Sequence, residues 1–530
     1  MASSSSQVKR VPPAEGVSVN RPVPVTRPTW RTPMVAPSTH SMTSMRSTRR
    51  IGPTFVSQSN VVPTPDRDAE VNRIDSASAI HSTCDPRSRT SAHTASGGAG
   101  TSVETRIFGT ARGYGRRVDA PLVIVSSDCH IGPRLMEDLR PHCPPHLLDR
   151  FDAYATDPTR MNGRFVEQQG ADDEALSPWR NRWTPGHHDP AARRRDLDAE
   201  GVAAEVIFHG SQNDQPIPSQ SSMLGVPDDP ELAAAGLRIY NTWLAELCAA
   251  EPHRHVGLAH LPMWDIDAAV AELRWAADAG LKSVNFPAPR SWLRPYNDRA
   301  WEPFWTAAEE LGMTLTTHAG AGDPAVFQGA ELVALMAIES GGWFSRRSAH
   351  LLIFAGVFER HPGLQLVLTE QPGEWWPYLC TELDSVHVAN AGVLRKQVPK
   401  TPSEYLHRNV FIGGSFLSRA EAVGAIRDGY ADRIMWGSDY PHMEGTFQLG
   451  ETSFTRLSLR FTFAGLDETV VRSMLGGTAA QVYGLDPAAL AGVAERIGAP
   501  TFDELNEPLA LEDVPAGGSS FAFRTVGPWA

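Results

Sequence analysis

The chain has 530 residues, 41% of them hydrophobic, and a formal net charge of −13 at pH 7; its length and composition allow a sizeable core and indicate a globular protein. No segment approaches 18 consecutive apolar residues, and the first residues lack the apolar centre of a secretory signal, so no membrane partner is expected. The body of the chain is acidic, which argues against a nucleic-acid partner.

Residues 1–120 differ in composition from the rest of the chain. They are rich in Ser, Thr, Pro and Arg, show no sustained apolar periodicity, and carry 16 Lys and Arg against 8 Asp and Glu. Such a composition cannot bury enough apolar surface to offset its chain entropy, so we predict a disordered extension. An organelle-targeting peptide is the alternative, although the many prolines would break the amphipathic helix that it needs.

Residues 121–485 alternate short apolar runs with helical patterns. We predict eight strands, in "LVIVSSDCH", "AAEVIFHG", "HVGLAHLPM", "KSVNFPAP", "MTLTTHAG", "LQLVLTEQ", "NVFIGGSF" and "RIMWGSDYP", with amphipathic helices before the fourth and fifth. This alternation is typical of an α/β protein whose parallel strands close into a (β/α)8 TIM barrel. A doubly wound open sheet is the competing fold, but the first strand is not followed by a glycine-rich phosphate loop. Residues 486–530 are predicted to form short C-terminal helices and a tail.

Several predicted strands end in carboxylates or imidazoles. The first strand ends with Asp128 and His130, which alternation places on one face, and later strands end with His318, Glu370 and Asp439. Taken singly, each has a structural alternative, such as a satisfied core imidazole or a turn residue. The carboxyl ends of barrel strands meet at one mouth, where such a cluster would be costly to bury unless a divalent cation compensates it. Mixed nitrogen and oxygen ligands suit zinc, with iron and manganese as alternatives.

Other residues are candidates for binding a substrate or supporting the ligands. Three of them are loop or strand-end groups expected near the mouth: His209, His442 and Arg290. Trp179 and Trp292, in loops, would wall a pocket for a flat substrate, and the loop arginines Arg290 and Arg294 would pair with a substrate carboxylate. Packing or solvent exposure is the alternative for each. The five cysteines form no C-x-x-C pair, which indicates reduced thiols in a cytoplasmic protein.

Five segments together resemble a known family. They are "DCH", "THAG", "HPGLQLVLTEQPGEWWPYLCTELD", "PSEYLHRNVFIGGSF" and "ADRIMWGSDYPHMEGTF", and they are similar to the amidohydrolase-related metal-dependent enzymes, in the branch that includes aminocarboxymuconate-semialdehyde decarboxylase. The resemblance implies that Asp128, His130, His318 and Asp439 bind one metal ion and that Asp439 also transfers protons. Many decarboxylases of that family carry a histidine where this chain has Glu370. Four roles stay open for Glu370: a general base, a hydrogen-bond partner of a metal ligand, a further ligand of the same ion, or a ligand of a second ion.

The sequence therefore predicts a metal-dependent hydrolase, in which metal-activated water attacks a carbonyl-type substrate. Its catalytic residues would be Asp439 and Glu370. A metal-dependent decarboxylase of an aromatic or enol acid is the first alternative, and a non-catalytic ligand-binding barrel is the second. The expected partner is a small-molecule substrate. The resemblance implies a homodimer for many relatives, which the sequence neither supports nor excludes here.

Overall fold

A computed structural model of the chain describes residues 120–157, 178–213, 215–219, 227, 229–319, 340–371, 373–449, 454–514 and 521–524. These residues belong to one unit of the chain, Arg106–Ala530. The extension predicted to be disordered lies outside the described residues, except for residue 120. Among the described helices, none combines the length and the apolar character needed to cross a bilayer.

Eight parallel strands form one sheet in the order in which they occur along the chain, and each pairs with the next. The end of the first strand meets the segment after the eighth, where the Asp439 amide donates to the Asp128 carbonyl at 2.9 Å. The predicted TIM barrel is therefore confirmed. The strands are β1 Val125–Ile131, β2 Ala204–His209, β3 His255–Ala259, β4 Ser283–Asn285, β5 Thr314–His318, β6 Leu366–Thr369, β7 Val410–Ser415 and β8 Ile434–Gly437.

Helices alternate with the strands, and those predicted before the fourth and fifth strands are present. Several helices begin at an Asp-Pro pair, where the Asp side chain accepts backbone N–H groups of the first turn and Pro takes the first helical position. The described α-helices are α1 Leu148–Ala155, α2 Pro190–Glu200, α3 Pro230–Ala250, α4 Ile266–Asp278, α5 Glu302–Glu310, α6 Ser345–Phe354, α7 Val357–Arg360, α8 Trp376–Ala389, α9 Ala391–Leu394, α10 Pro402–Asn409, α11 Arg419–Arg427, α12 Thr455–Phe463, α13 Glu468–Arg472, α14 Thr478–Val482, α15 Pro487–Ile497 and α16 Phe502–Asn506.

The short C-terminal helices include those predicted after the barrel, and they pack on apolar strand residues. Val206, Phe411 and Met435 from the strands share a buried cluster with Tyr483 and Leu490. Burying apolar side chains in this way stabilises the barrel by roughly 25 cal/mol per Å² of apolar surface removed from water. The carboxyl ends of the strands carry polar side chains instead, and that end holds the candidate site.

Candidate metal centre

Strand β1 carries Asp128 and His130 near its carboxyl end. Asp128 and His130 are 0% and 3% exposed. The thiol of Cys129, between them, instead donates to the hydroxyl of Ser126. A register shift between Ser126 and Cys129 marks a local irregularity in the pairing with β2, a feature that often re-aims side chains near active sites.

Four donor atoms from three regions of the barrel converge at the mouth. Nε2 of His130 lies 3.3 Å from Oδ1 of Asp128 and 3.1 Å from Oδ1 of Asp439, and Nε2 of His318 lies 3.4 Å from Oδ1 of Asp128. All four atoms are buried, and none has a hydrogen-bond partner among the described residues. Atoms bound at about 2.0–2.2 Å to one ion, at angles between about 90° and 109°, lie about 2.8–3.6 Å apart. Donor atoms of Asp128, His130 and His318 lie within 4.8 Å of one another, and so do donor atoms of His130, Asp439 and His442. The cluster therefore offers two overlapping groups of candidate ligands for a divalent metal ion.

Neighbouring groups orient two of these side chains. The hydroxyl of Ser415, the last residue of β7, donates to Oδ2 of Asp128, which leaves Oδ1 to face the cluster. Nδ1 of His318 lies 2.7 Å from the carbonyl oxygen of Ala319 and donates to it. The neutral His318 ring therefore carries its lone pair on Nε2, the nitrogen that faces Asp128. Hydrogen bonds of this kind fix the orientation of metal-binding side chains.

The pKa values of the carboxyl and imidazole groups in the cluster depend strongly on one another. Burial alone would lower the pKa of His318, but the carboxylates of Asp128 and Glu370 raise it to about 10. Burial would raise the pKa of Asp128, but His318 and His130 hold it well below its usual range. Burial also opposes ionisation of Asp439, whose pKa is nevertheless lowered, first by His442. Without a cation, the carboxylates depend on protonated imidazoles for compensation.

Glu370 lies at the end of β6 beside this cluster. Its Oε2 is 3.3 Å from Nδ1 of His318, and both Glu370 and Asp439 have left-handed backbone conformations, with φ of 54° and 56°. Non-glycine residues rarely adopt this conformation, and those that do cluster at functional sites. Burial, opposed by His318 and reinforced by Asp439 and Asp128, raises the pKa of Glu370 to about 8. The described side chains thus compensate the charge of Glu370 incompletely.

His442 contacts the cluster directly. Its ring stacks on His130 at a centroid separation of 3.8 Å, and its Nδ1 lies 3.2 Å from Oδ1 of Asp439. Nε2 of His442 faces the Gly210 carbonyl oxygen at 3.3 Å and donates to it. Burial lowers the pKa of His442, but Asp439 raises it to about 9.

The remaining candidates from the sequence occupy varied positions. Nε2 of His209 donates to the Gln215 carbonyl oxygen at 3.0 Å, Arg294 pairs with Asp298 at 2.7 Å with 55% of its side chain exposed, and Trp292 packs against the main core. These contacts favour structural roles. Arg290 is half-buried in the loop after β4. The backbone of Trp179 is described in the short helix Pro178–Trp183, and its side chain lies outside the description.

The sequence analysis did not identify Ser415, Gln212 or Glu444. One oxygen each of Glu370, Asp439 and Glu444 lies within 4.8 Å of the others. Nε2 of Gln212 donates to Oε2 of Glu444 at 2.9 Å. Glu444 follows Asp439 by five residues in "DYPHMEG", and this proximity along the chain was the available signal for it.

Comparison with known proteins agrees with the architecture. A family model described as amidohydrolase matches residues 146–485, a range that starts after Asp128 and His130. The gamma-resorcylate decarboxylase of Rhizobium radiobacter is 28% identical over 268 residues, which cover 47% of this chain and 76% of the relative.

A second relative and a solved structure extend the comparison. The 2-amino-3-carboxymuconate-6-semialdehyde decarboxylase of Dictyostelium discoideum is 24% identical over 307 residues, covering 56% of this chain and 77% of the relative. The crystal structure of an amidohydrolase from Mycobacterium avium subsp. paratuberculosis K-10 superposes with a TM-score of 0.51 at 19% identity, covering 69% of this chain and 98% of that one. The structural likeness concerns the fold.

Proposed function

The chain belongs to the amidohydrolase family, and from that premise we propose that it is a metal-dependent decarboxylase of a small aromatic or enol carboxylic acid. The observation that supports the metal is the set of buried donor atoms on Asp128, His130, His318 and Asp439 that have no hydrogen-bond partner among the described residues, and the support for decarboxylation comes from the relatives. Buried polar groups are costly unless they are paired or coordinate a metal. Such a set argues against a barrel without chemistry.

The sequence analysis put hydrolysis first, and the relatives favour the alternative. Both named relatives are decarboxylases, at 28% and 24% identity. The four donor side chains serve either reaction, so they alone do not discriminate between them. We therefore put decarboxylation first and keep hydrolysis as the second candidate, because the carboxyl group of Glu370 lies 3.3 Å from Nδ1 of His318, where its ionised form would act as a general base on water.

The proposed metal is one zinc ion held by Asp128, His130, His318 and Asp439. Two imidazoles and two carboxylates suit zinc, and they also suit manganese and iron. When bound, such an ion would polarise the oxygens of the substrate as a Lewis acid.

The residues of this chain would manage the proton. In decarboxylation the bond between the substrate carbon and its carboxyl group breaks, the electron pair stays on that carbon, and a proton takes the place of the carbon dioxide. Nε2–H of His442 donates to the Gly210 carbonyl, so a second proton on this ring would sit on Nδ1, facing Asp439 at 3.2 Å. We propose that Asp439 delivers the proton and that His442 holds it in reserve.

The free thiols bear on the location of the enzyme. Cys129, Cys143, Cys248 and Cys380 form no disulfide in the described part of the chain. Persistent reduced thiols are usual in the cytosol, and we propose that location.

The test is a substrate screen with the purified, metal-supplemented chain. Ortho-hydroxylated benzoic acids, an enol acid, and matching amides, esters and lactones are incubated separately, and released carbon dioxide and products are measured. Decarboxylation in deuterium oxide should place one deuterium on the carbon that lost the carboxyl group. Turnover of the amides, esters or lactones alone would replace the proposal with hydrolysis.

A further inference from the structure

We propose that Glu370, Asp439 and Glu444 form a second divalent-cation site that shares Asp439 with the candidate metal site of Asp128, His130, His318 and Asp439. One carboxylate oxygen of each of the three residues lies within 4.8 Å of the other two. Oxygen-only donor sets of this kind suit Mg²⁺ and Mn²⁺. This inference rests on the proposed function, because the second ion would face the same substrate.

Asp439 provides the independent sign that a ligand is missing. It is 0% exposed, and both of its carboxylate oxygens are buried without a hydrogen-bond partner among the described residues. One oxygen faces His130 and His442. A carboxylate has about four lone-pair sites, so a single ion on one oxygen leaves the other without compensation. A cation held by Asp439, Glu370 and Glu444 would supply the compensation that this buried carboxylate lacks.

Hydrogen bonds with neighbouring residues fix the position of Glu444 in the loop after β8. Gln212 donates to Oε2 of Glu444 at 2.9 Å and accepts from the Met443 amide at 3.1 Å, so one amide side chain fixes both the loop and the carboxylate. The Glu444 carbonyl accepts from the Phe521 amide at 2.9 Å. Only 20% of the Glu444 side chain is exposed. Pre-positioned ligands of this kind lower the entropic cost of binding an ion.

Glycine at position 445 permits this arrangement. A Cβ atom there would collide with the carbonyl oxygens of Ser438 and Asp439. The turn after β8 therefore packs directly on the backbone of Asp439, with the Thr446 amide donating to the Ser438 carbonyl at 3.0 Å. Glu444 is brought back beside Asp439 as a result.

The charge balance also favours a second cation. Asp128, Asp439, Glu370 and Glu444 carry four negative charges when ionised. These carboxylates converge in a region where the side chains of Asp128 and Asp439 are 0% exposed. Uncompensated charge at such a depth is costly. A second divalent cation beside Glu370 and Glu444 would reduce that cost.

The test counts bound manganese. The full chain is stripped with a chelator, dialysed against Mn²⁺, and analysed for metal and protein by mass spectrometry. Two equivalents are expected for the wild type and one for Glu444→Gln, whereas Glu382→Gln, a control at an exposed carboxylate on α8, should keep two. Two Mn²⁺ ions that share a carboxylate should also show exchange coupling by electron paramagnetic resonance, and Glu444→Gln should abolish it.

The outcomes separate this inference from the proposed function. One equivalent in both wild type and Glu444→Gln would overturn the second site and leave the first intact, and two equivalents in both would place the second ion elsewhere and overturn it too. No bound metal in the wild type would overturn both. If Glu444→Gln does not fold, as judged by circular dichroism, Glu444→Asp takes its place. Its second ion should bind about tenfold more weakly or worse, and an unchanged affinity would overturn the site.

Discussion

Removal of one hydroxyl should weaken metal binding without removing a ligand. Ser415 donates to Oδ2 of Asp128, and both residues are buried, at 1% and 0% exposure. In Ser415→Ala this oxygen would lose its donor, and the Asp128 side chain would lose the contact that turns Oδ1 toward His130 and His318. Loss of a partner that orients a metal ligand typically costs about 10–100-fold in metal affinity, which corresponds to about 1.4–2.7 kcal/mol.

The assay is competition of the chelator-stripped protein with a chromophoric zinc chelator. The matched control is Ser403→Ala, because the Ser403 hydroxyl donates to Oδ2 of Asp384 at 2.7 Å, a bond of the same chemical kind outside the site. Ser415→Ala should bind zinc about 10–100-fold more weakly, and Ser403→Ala should match the wild type. A folded Ser415→Ala protein with wild-type zinc affinity would refute the orienting role assigned to Ser415.

Three further predictions concern stability and the loop after β8. Arg193 is buried, donates two hydrogen bonds of 2.6 Å to Glu205 and also donates to the His130 carbonyl. Glu205→Leu should therefore lower the free energy of unfolding, measured in urea, by about 3–5 kcal/mol. A double variant with Arg193→Met that is no more stable than Glu205→Leu would contradict this explanation. Burial lowers the pKa of His187 to about 3, so below about pH 6.5 the unfolded chain binds a proton at this ring that the native chain does not bind. Between pH 7 and pH 5 the free energy of unfolding should therefore fall by about 2 kcal/mol more in the wild type than in His187→Gln. An equal fall in both proteins would contradict a neutral His187 ring in the native state. Gly445→Ala should displace Glu444, so metal analysis should find close to one equivalent of bound Mn²⁺. If the variant keeps two equivalents, the close packing of Gly445 on the backbone of Asp439 is not needed for the second site.

The barrel and the main cluster were predictable because they follow from periodicity and from one rule of the fold. Near-continuous apolar runs predicted the eight strands, and the convergence of strand carboxyl ends predicted that Asp128, His130, His318 and Asp439 would meet. Their shared position required no knowledge of loop shape.

The groups around the cluster were not predictable in the same way. Ser415 reaches Asp128 across 287 positions of the chain, and a single serine at a strand end carries no distinguishing pattern. The placement of Glu444 depends on the turn at Gly445 and on Gln212, which lies in another loop. Loop geometry of this kind is set by tertiary packing. The sequence analysis put hydrolysis first, whereas the relatives support decarboxylation better. The donor residues serve both reactions and the surrounding loops select the substrate, so the strand-end pattern alone does not order the two.

Metal content tests the central claim most directly. The chain is purified without chelators, and its transition metals are measured by plasma mass spectrometry beside His318→Ala and Asp128→Asn, with His361→Ala as a control because His361 contacts Glu302 and Glu309 away from the cluster. We expect bound transition metal in the wild type and the control and its loss in the other two variants. A wild-type protein that binds no metal even after reconstitution would contradict the account.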